Sequence, residues 1–117
     1  MTDPLIRPAE PRDSAALARL IGQLDYRVTP EEVAGRLAVM HAEGRLVLVA
    51  ELEGRVIGCL STSVMRVLHR PAPVGRISMM VVEEGLRNRG IGAALVRAAE
   101  RALAERGCYM VEVTSHV

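Results

Sequence analysis

The chain has 117 residues and a mass of 12.7 kDa, the ordinary size of one domain; half of its residues are apolar and a quarter charged, which excludes a disordered or collagen-like polymer. Its net charge is +1, from 15 basic residues, all arginine, against 14 acidic ones, too even a balance for a nucleic-acid or anionic-membrane binder. The absence of lysine excludes Schiff-base chemistry, and a core with no Phe, no Trp and two Tyr has no aromatic platform for single-stranded nucleic acid.

Residues 5–7 form a short strand candidate stopped by Pro8 and Pro11. Asp13 then caps a helix whose apolar residues Leu17, Leu20, Ile21 and Leu24 follow helical spacing, and residues 22–28 break it. Thr29-Pro30-Glu31-Glu32 is a capping box with proline at the first helical position. It opens a second helix with the stripe Val33, Leu37 and Met40, ended by Gly44. Residues 45–52 and 55–68 read as an antiparallel hairpin about the turn Glu53-Gly54. After Pro71-Ala72-Pro73, residues 77–82 are apolar on both faces, as in a central strand. A helix over 91–106 presents Ile91, Leu95, Ala98 and Ala102 on one face and stops at Gly107; residues 109–114 are the last strand. The order β-α-α-β-β-β-α-β predicts an α/β fold with a mixed sheet whose one right-handed crossover joins strand 77–82 to strand 109–114.

Cys59 and Cys108 are too few for a disulfide scaffold, form no CxxC motif, and read as buried free thiols. His41, His69 and His116 share no metal-ligand spacing with each other or with the cysteines, so no metal is expected; Met79-Met80 belongs to the core. The N-terminus has an early Asp3 and no apolar signal-like run, and no apolar stretch approaches the ~18 residues of a membrane span, so a cytoplasmic enzyme or binding module is expected.

Ligands of an α/β crossover gather at the carboxyl end of its first strand. Here that segment is Glu83-Glu84-Gly85-Leu86-Arg87-Asn88-Arg89-Gly90-Ile91-Gly92-Ala93. Small residues let backbone N–H groups approach an anion, and the first turn of a helix adds unpaired amides and about half a positive charge. Arg87 and Arg89 add forked donors, so a diphosphate fits. A glycine-rich turn with solvated arginines is the plain alternative. A Walker loop fails for want of Gly-Lys-Ser/Thr. A dinucleotide fingerprint has Gly90-x-Gly92 and an acidic Glu112 further on, but its third glycine is replaced by Leu95 and residues 83–89 make the turn too long.

The string Arg87-Asn88-Arg89-Gly90-Ile91-Gly92 resembles the Arg/Gln-x-x-Gly-x-Gly/Ala pyrophosphate motif of the GNAT superfamily of acetyl-CoA-dependent N-acyltransferases. Its setting is similar too: a β-rich run ending in Val81-Val82-Glu83 before it, an Ala-rich helix ended by Arg106-Gly107-Cys108 after it, and the opening Ile6-Arg7-Pro8-Ala9 with Asp13. The resemblance implies a GNAT-like α/β fold, a mixed and mostly antiparallel sheet flanked by helices, in a single domain over 1–117. It implies that the amides of Asn88, Arg89, Gly90, Ile91, Gly92 and Ala93 hold the CoA pyrophosphate, with Arg87 as a charged supplement. The pantetheine arm then enters where strands 77–82 and 109–114 splay apart and pairs with Met80, Val81 and Val82, one of whose N–H groups faces the thioester carbonyl.

The reaction implied is attack by an amine of a small molecule or peptide on that carbonyl. Arg76 stands where some members carry a glutamate base, and arginine cannot accept the proton. Glu83, Glu84 or Glu112 acting through water are the remaining candidates, each also readable as a surface carboxylate. The family's acid is a tyrosine after the fifth strand; neither Tyr26 nor Tyr109 corresponds to it. The resemblance also implies a domain that is incomplete at its C-terminus, with the last helix and strands of the fold absent and a strand edge left open, so a longer gene product or a homodimer or other homo-oligomer is expected. A non-catalytic acyl-CoA-binding regulatory module and a dinucleotide-binding oxidoreductase fragment stand as alternatives.

Overall fold

A computed structural model describes residues 3–108 and 110–113. The elements follow the expected order: β1 (Leu5–Pro8), a single 3-10 turn (Pro11–Asp13), α1 (Ser14–Gly22), α2 (Pro30–Ala42), β2 (Val47–Leu52), β3 (Arg55–Met65), β4 (Val74–Val82), α3 (Ile91–Glu105) and β5 (Met110–Val113). They build one five-stranded sheet in the order β1-β2-β3-β4-β5. Strands β1 to β4 pair antiparallel, and β5 lies parallel to β4 with Val74 opposite Met110 and Ile77 opposite Val113. This is the mixed, mostly antiparallel sheet with one crossover that the sequence predicts.

Helices cover both faces. Leu17 and Leu20 of α1 and Val33 and Leu37 of α2 bury against Val47, Val49, Cys59 and Val81. Ile91, Leu95 and Ala99 of α3 bury against Leu48, Ala50, Leu60 and Ile77 on the other side. Two register shifts alter the simple alternation. On β3, Val56 and Cys59 face α1 and α2 although they are three positions apart, because Ile57 is the extra residue where Ala50 pairs Gly58 and Glu51 pairs Val56. On β4, Ser61 pairs Met79 while Thr62 pairs Ile77, so Ser78 is extra; its hydroxyl lies 3.0 Å from that of Ser61. Such bulges bend a strand and re-aim its side chains, and this one stands just before the residues that face the cleft.

Several local expectations need correction. The Asp13 side chain makes no capping bond to α1. It accepts from the Glu10 N–H at 2.7 Å and takes a two-pronged bond from Arg7 at 2.8 and 2.9 Å, so it closes the 3-10 turn and ties it to β1. Strand β3 stops at Met65 rather than residue 68, where Leu68 is fully solvent-exposed, and β4 begins at Val74 directly after the prolines. The buried stripe of α3 is Ile91, Leu95, Ala99 and Leu103; Ala98 and Ala102 are only half-buried, because contact with the sheet follows the i+4 row. Tyr109 and Thr114, expected at the ends of the last strand, lie outside the described residues, as does any splaying of β4 from β5 beyond Ile77 and Val113.

Leu24 lies beyond the end of α1 and Cys108 is only half-buried, whereas the cap of α2 and the hairpin turn stand as the sequence predicts. Thr29 Oγ1 accepts from the Glu32 N–H at 3.1 Å and the Glu32 carboxylate accepts from the Thr29 N–H at 2.9 Å, with Pro30 opening α2. Glu53 and Gly54 take φ +52° and +79°, the pair of left-handed residues that a tight hairpin turn matches to strand twist.

Candidate functional site

Strand β4 delivers the chain to α3 through residues 83–90. Glu83 to Leu86 form a turn closed by the Leu86 N–H on the Glu83 carbonyl at 3.0 Å, with Gly85 at φ +91°. Asn88 at φ +65° and Gly90 at φ +82° make two further left-handed steps. Asparagine tolerates that region through its short polar side chain; Gly90, the residue that opens α3, has no Cβ to oppose it. The Ala94 N–H bonds the Gly90 carbonyl at 3.0 Å and starts the helical ladder. The N–H groups of Ile91, Gly92 and Ala93 are therefore the helix-start donors with no intrahelical acceptor, at the positive end of the macrodipole.

Of these three residues Gly92 lines a cleft of about 160 Å³, together with Met80, Val81, Val82, Leu86, Arg87 and Asn88. The sequence-predicted residues Met80, Val81, Val82, Arg87, Asn88 and Gly92 are thus brought together. Leu86 is the lining residue that sequence reasoning passed over; its apolar side chain in a glycine- and arginine-rich loop was the available signal. Arg89, Gly90, Ile91 and Ala93 do not line the cleft. Ile91 is buried against the sheet, while Arg89 and Gly90 are exposed at the loop. Gly92 lies over Met80: a Cβ at Gly92 would stand 3.5 Å from Met80 Cε and 3.8 Å from Val82 Cγ2. Among the described residues β4 pairs with β5 over Val74 to Ile77.

Among the described residues the candidate proton carriers Glu83 and Glu84 do not line the cleft. Glu83 is almost buried, and its carboxylate is held by Arg19 and by Arg55 Nη2 at 3.0 Å. Glu84 is exposed, and its N–H donates to Gln23 Oε1 at 3.0 Å. Tyr26 is exposed between α1 and α2, Arg76 sits on β4 opposite Ser63, and the Tyr109 residue and the Glu112 side chain are outside what is described. Cys59 is wholly buried, which pushes its thiol up to about 12 and makes it a packing residue, not a nucleophile. Cys108 is half-buried and unbridged. Among the described residues no three His, Cys, Asp or Glu side chains are grouped to hold a metal ion, and no helix is long and apolar enough to cross a membrane.

A mixed sheet with helices on both faces, and a helix that starts beside a cleft at the carboxyl end of the fourth strand, define an α/β fold of one particular class. The acetyltransferase (GNAT) family model matches residues 14–117, and the chain belongs to that family. It is similar to an acetyltransferase of Trypanosoma brucei, at 26% identity and TM-score 0.84, over 97% of this chain and 84% of that one. It is also similar to glucosamine-6-phosphate N-acetyltransferase of Arabidopsis thaliana, at 25% identity and TM-score 0.85, over 99% and 84%. A GNAT family acetyltransferase of Staphylococcus aureus shares the fold at 20% identity and TM-score 0.87, over 99% and 89%. No curated protein matches the sequence. Membership makes this an acyltransferase fold.

Proposed function

We propose that the protein is an N-acetyltransferase that takes acetyl-CoA as donor and passes the acetyl group to a primary amine of a small molecule or peptide. The observation that carries this reading is the cleft between the C-terminal end of β4 and the start of α3, where Gly92 of the first helical turn lines it together with Met80, Val81 and Val82. The amides at that helix start suit a pyrophosphate, Arg87 supplies a permanent positive charge, and the extended backbone of Met80 to Val82 suits an arm that carries amides of its own. A β4 N–H aimed at the thioester carbonyl stabilises the oxyanion that forms when the amine attacks; collapse of that intermediate releases the CoA thiol and the N-acetyl product.

A second reading, an acyl-CoA-binding module without turnover, is favoured by one observation: the lining of the cleft includes no carboxylate, histidine or tyrosine among the described residues. Two measurements separate the readings. Calorimetry should give a micromolar dissociation constant for acetyl-CoA, about −8 kcal/mol, with NAD and ATP at least tenfold weaker. Preference for NAD would falsify the assignment of the cleft. An amine panel followed by free-thiol release then distinguishes an enzyme, with amine-dependent thiol, from a binding module, with none.

A further inference from the structure

The cofactor loop is tied to a part of the molecule that the cleft does not touch. Glu83, its first residue, is a nearly buried carboxylate; the side chain retains 12% of its exposure and faces two guanidiniums, Arg19 of α1 and Arg55 at the start of β3. Arg19 also donates to the Val56 carbonyl at 3.0 Å, which fixes its direction, and the Glu83 N–H bonds the Ile57 carbonyl at 2.8 Å. One residue on, the Glu84 N–H donates to Gln23 Oε1 at 3.0 Å, and Gln23 is the residue that ends α1. The far side of the same turn is held by Arg87 Nε on the Val82 carbonyl at 3.0 Å. The start of the loop is thus fastened to the last turn of α1 by one charged and one neutral contact. The chain that leaves α1 at Gln23 runs through Asp25, at φ +66°, and an exposed Tyr26 before α2 begins.

We infer that Glu83, Arg19 and Gln23 are positioning residues that couple the cofactor loop to the α1–α2 connection, so that filling the cradle also orders residues 23–28. The inference rests on the reading of the loop as the acetyl-CoA site. One observation and one thermodynamic requirement carry it. A buried carboxylate between two arginines is costly to leave half-paired, so the loop start has one arrangement in which all three charges are met. The link is also reciprocal: if occupancy of the loop tightens residues 23–28, loosening Gln23 must weaken binding at a cleft that Gln23 does not line.

Hydrogen exchange of the whole chain, with and without acetyl-CoA, tests this alongside calorimetry and a melting curve for each variant. In the unaltered protein acetyl-CoA should slow exchange in residues 23–28 as well as in the loop. Gln23→Ala should keep the melting curve, lose the ligand-induced protection at 23–28, and bind acetyl-CoA about threefold more weakly. Glu83→Gln should weaken binding about tenfold, the order expected for one charge-assisted contact. Arg19→Met should behave like Glu83→Gln, and Arg19→Lys should recover part of the loss. If Glu83→Gln fails to fold, the Gln23→Ala and Arg19→Lys results decide. Variants that bind as the parent does, or a parent whose residues 23–28 exchange at the same rate with ligand bound, overturn the coupling and leave the cleft assignment standing. A parent that does not bind acetyl-CoA overturns both.

Discussion

Arg87 turns back on the strand before it, its Nε donating to the Val82 carbonyl at 3.0 Å. That single bond spends the inner donor of the guanidinium on the backbone and leaves the Nη groups at the mouth of the cleft, where the side chain is exposed. Arg87→Ala should therefore weaken acetyl-CoA binding by about tenfold at low salt and by less at high salt, because an exposed charge is screened. Arg87→Lys should recover only a minor part, since an ammonium cannot hold the Val82 carbonyl and a phosphate in one plane. Calorimetry at two ionic strengths checks both statements; an effect that ignores salt would mean that Arg87 acts on the fold of the loop rather than on the anion.

Gly90 makes a different kind of contribution. It sits at φ +82° with nothing within 4 Å of the position its Cβ would take, so a substitution there meets backbone strain and then open space, the space in which an anion would approach α3. Gly90→Ala should cost about 1 kcal/mol of stability, the usual penalty for an L-residue held left-handed. Gly90→Val, with a branch at Cβ, should in addition reduce acetyl-CoA affinity at least fiftyfold in a protein that still folds. Normal binding by Gly90→Val with an unchanged melting profile would remove the loop from the site.

The Arg7–Asp13 pair sets a pH limit on stability. Hydrogen bonds from Arg7 hold the Asp13 carboxyl below the ordinary aspartate value of 3.8; burial opposes them, and the Glu10 N–H adds to the lowering. A carboxylate with a depressed folded-state pKa stabilises the protein above its unfolded value, and that contribution is lost as pH falls through the folded value. Stability should thus be level from neutral pH down to about pH 5 and decline below pH 4. Asp13→Asn should destabilise the protein at pH 7 by about 3 kcal/mol, the cost of leaving a nearly buried partner half-paired, while flattening the acid limb. Denaturant midpoints across pH 3 to 7 give the comparison; an equally steep acid limb in Asp13→Asn would place the acid sensitivity elsewhere.

Local chemistry made most of the fold readable. Thr29, Pro30 and Glu32 announce α2 because capping is a four-residue event; Glu53-Gly54 announces a hairpin because few residues accept positive φ in succession. Gly90 marks the start of α3 because it opens the helix at φ +82°, whereas Gly92 is helical and lies close over Met80. The misreadings fall where distant residues decide. Asp13 reads as a helix cap until Arg7 claims both of its oxygens across the chain reversal. Glu83 reads as a solvated carboxylate or a base until Arg19, 64 positions away, meets it. The bulges at Ile57 and Ser78 leave no mark in composition, since Val56 and Cys59 come to one face only through the register of β2.

Gly75 tests how closely α3 must lie on the sheet. A Cβ at this β4 position would stand 3.0 Å from Leu103 Cδ1, 3.3 Å from Leu103 Cδ2 and 3.3 Å from Cys108 Sγ. Leu103 is fully buried in the last turns of α3, and Gly75 pairs with Val64 on one side and Val111 on the other, so neither partner can move away freely. Gly75→Ala should cost a modest amount, because the tip of Leu103 can rotate by a few tenths of an ångström. Gly75→Val forces the helix itself to shift and should cost about 1 to 3 kcal/mol, or ~4 to 12 °C in melting temperature. Shortening the obstructing side chain distinguishes this cause from a general intolerance of β4 to substitution. Leu103→Val alone should lose about 1 kcal/mol, yet the pair Gly75→Ala with Leu103→Val should lose less than the sum of the two, because the added methyl fills the space the shorter side chain vacates. Additive losses in that cycle would show that the close approach of α3 to Gly75 does not set the spacing of helix and sheet.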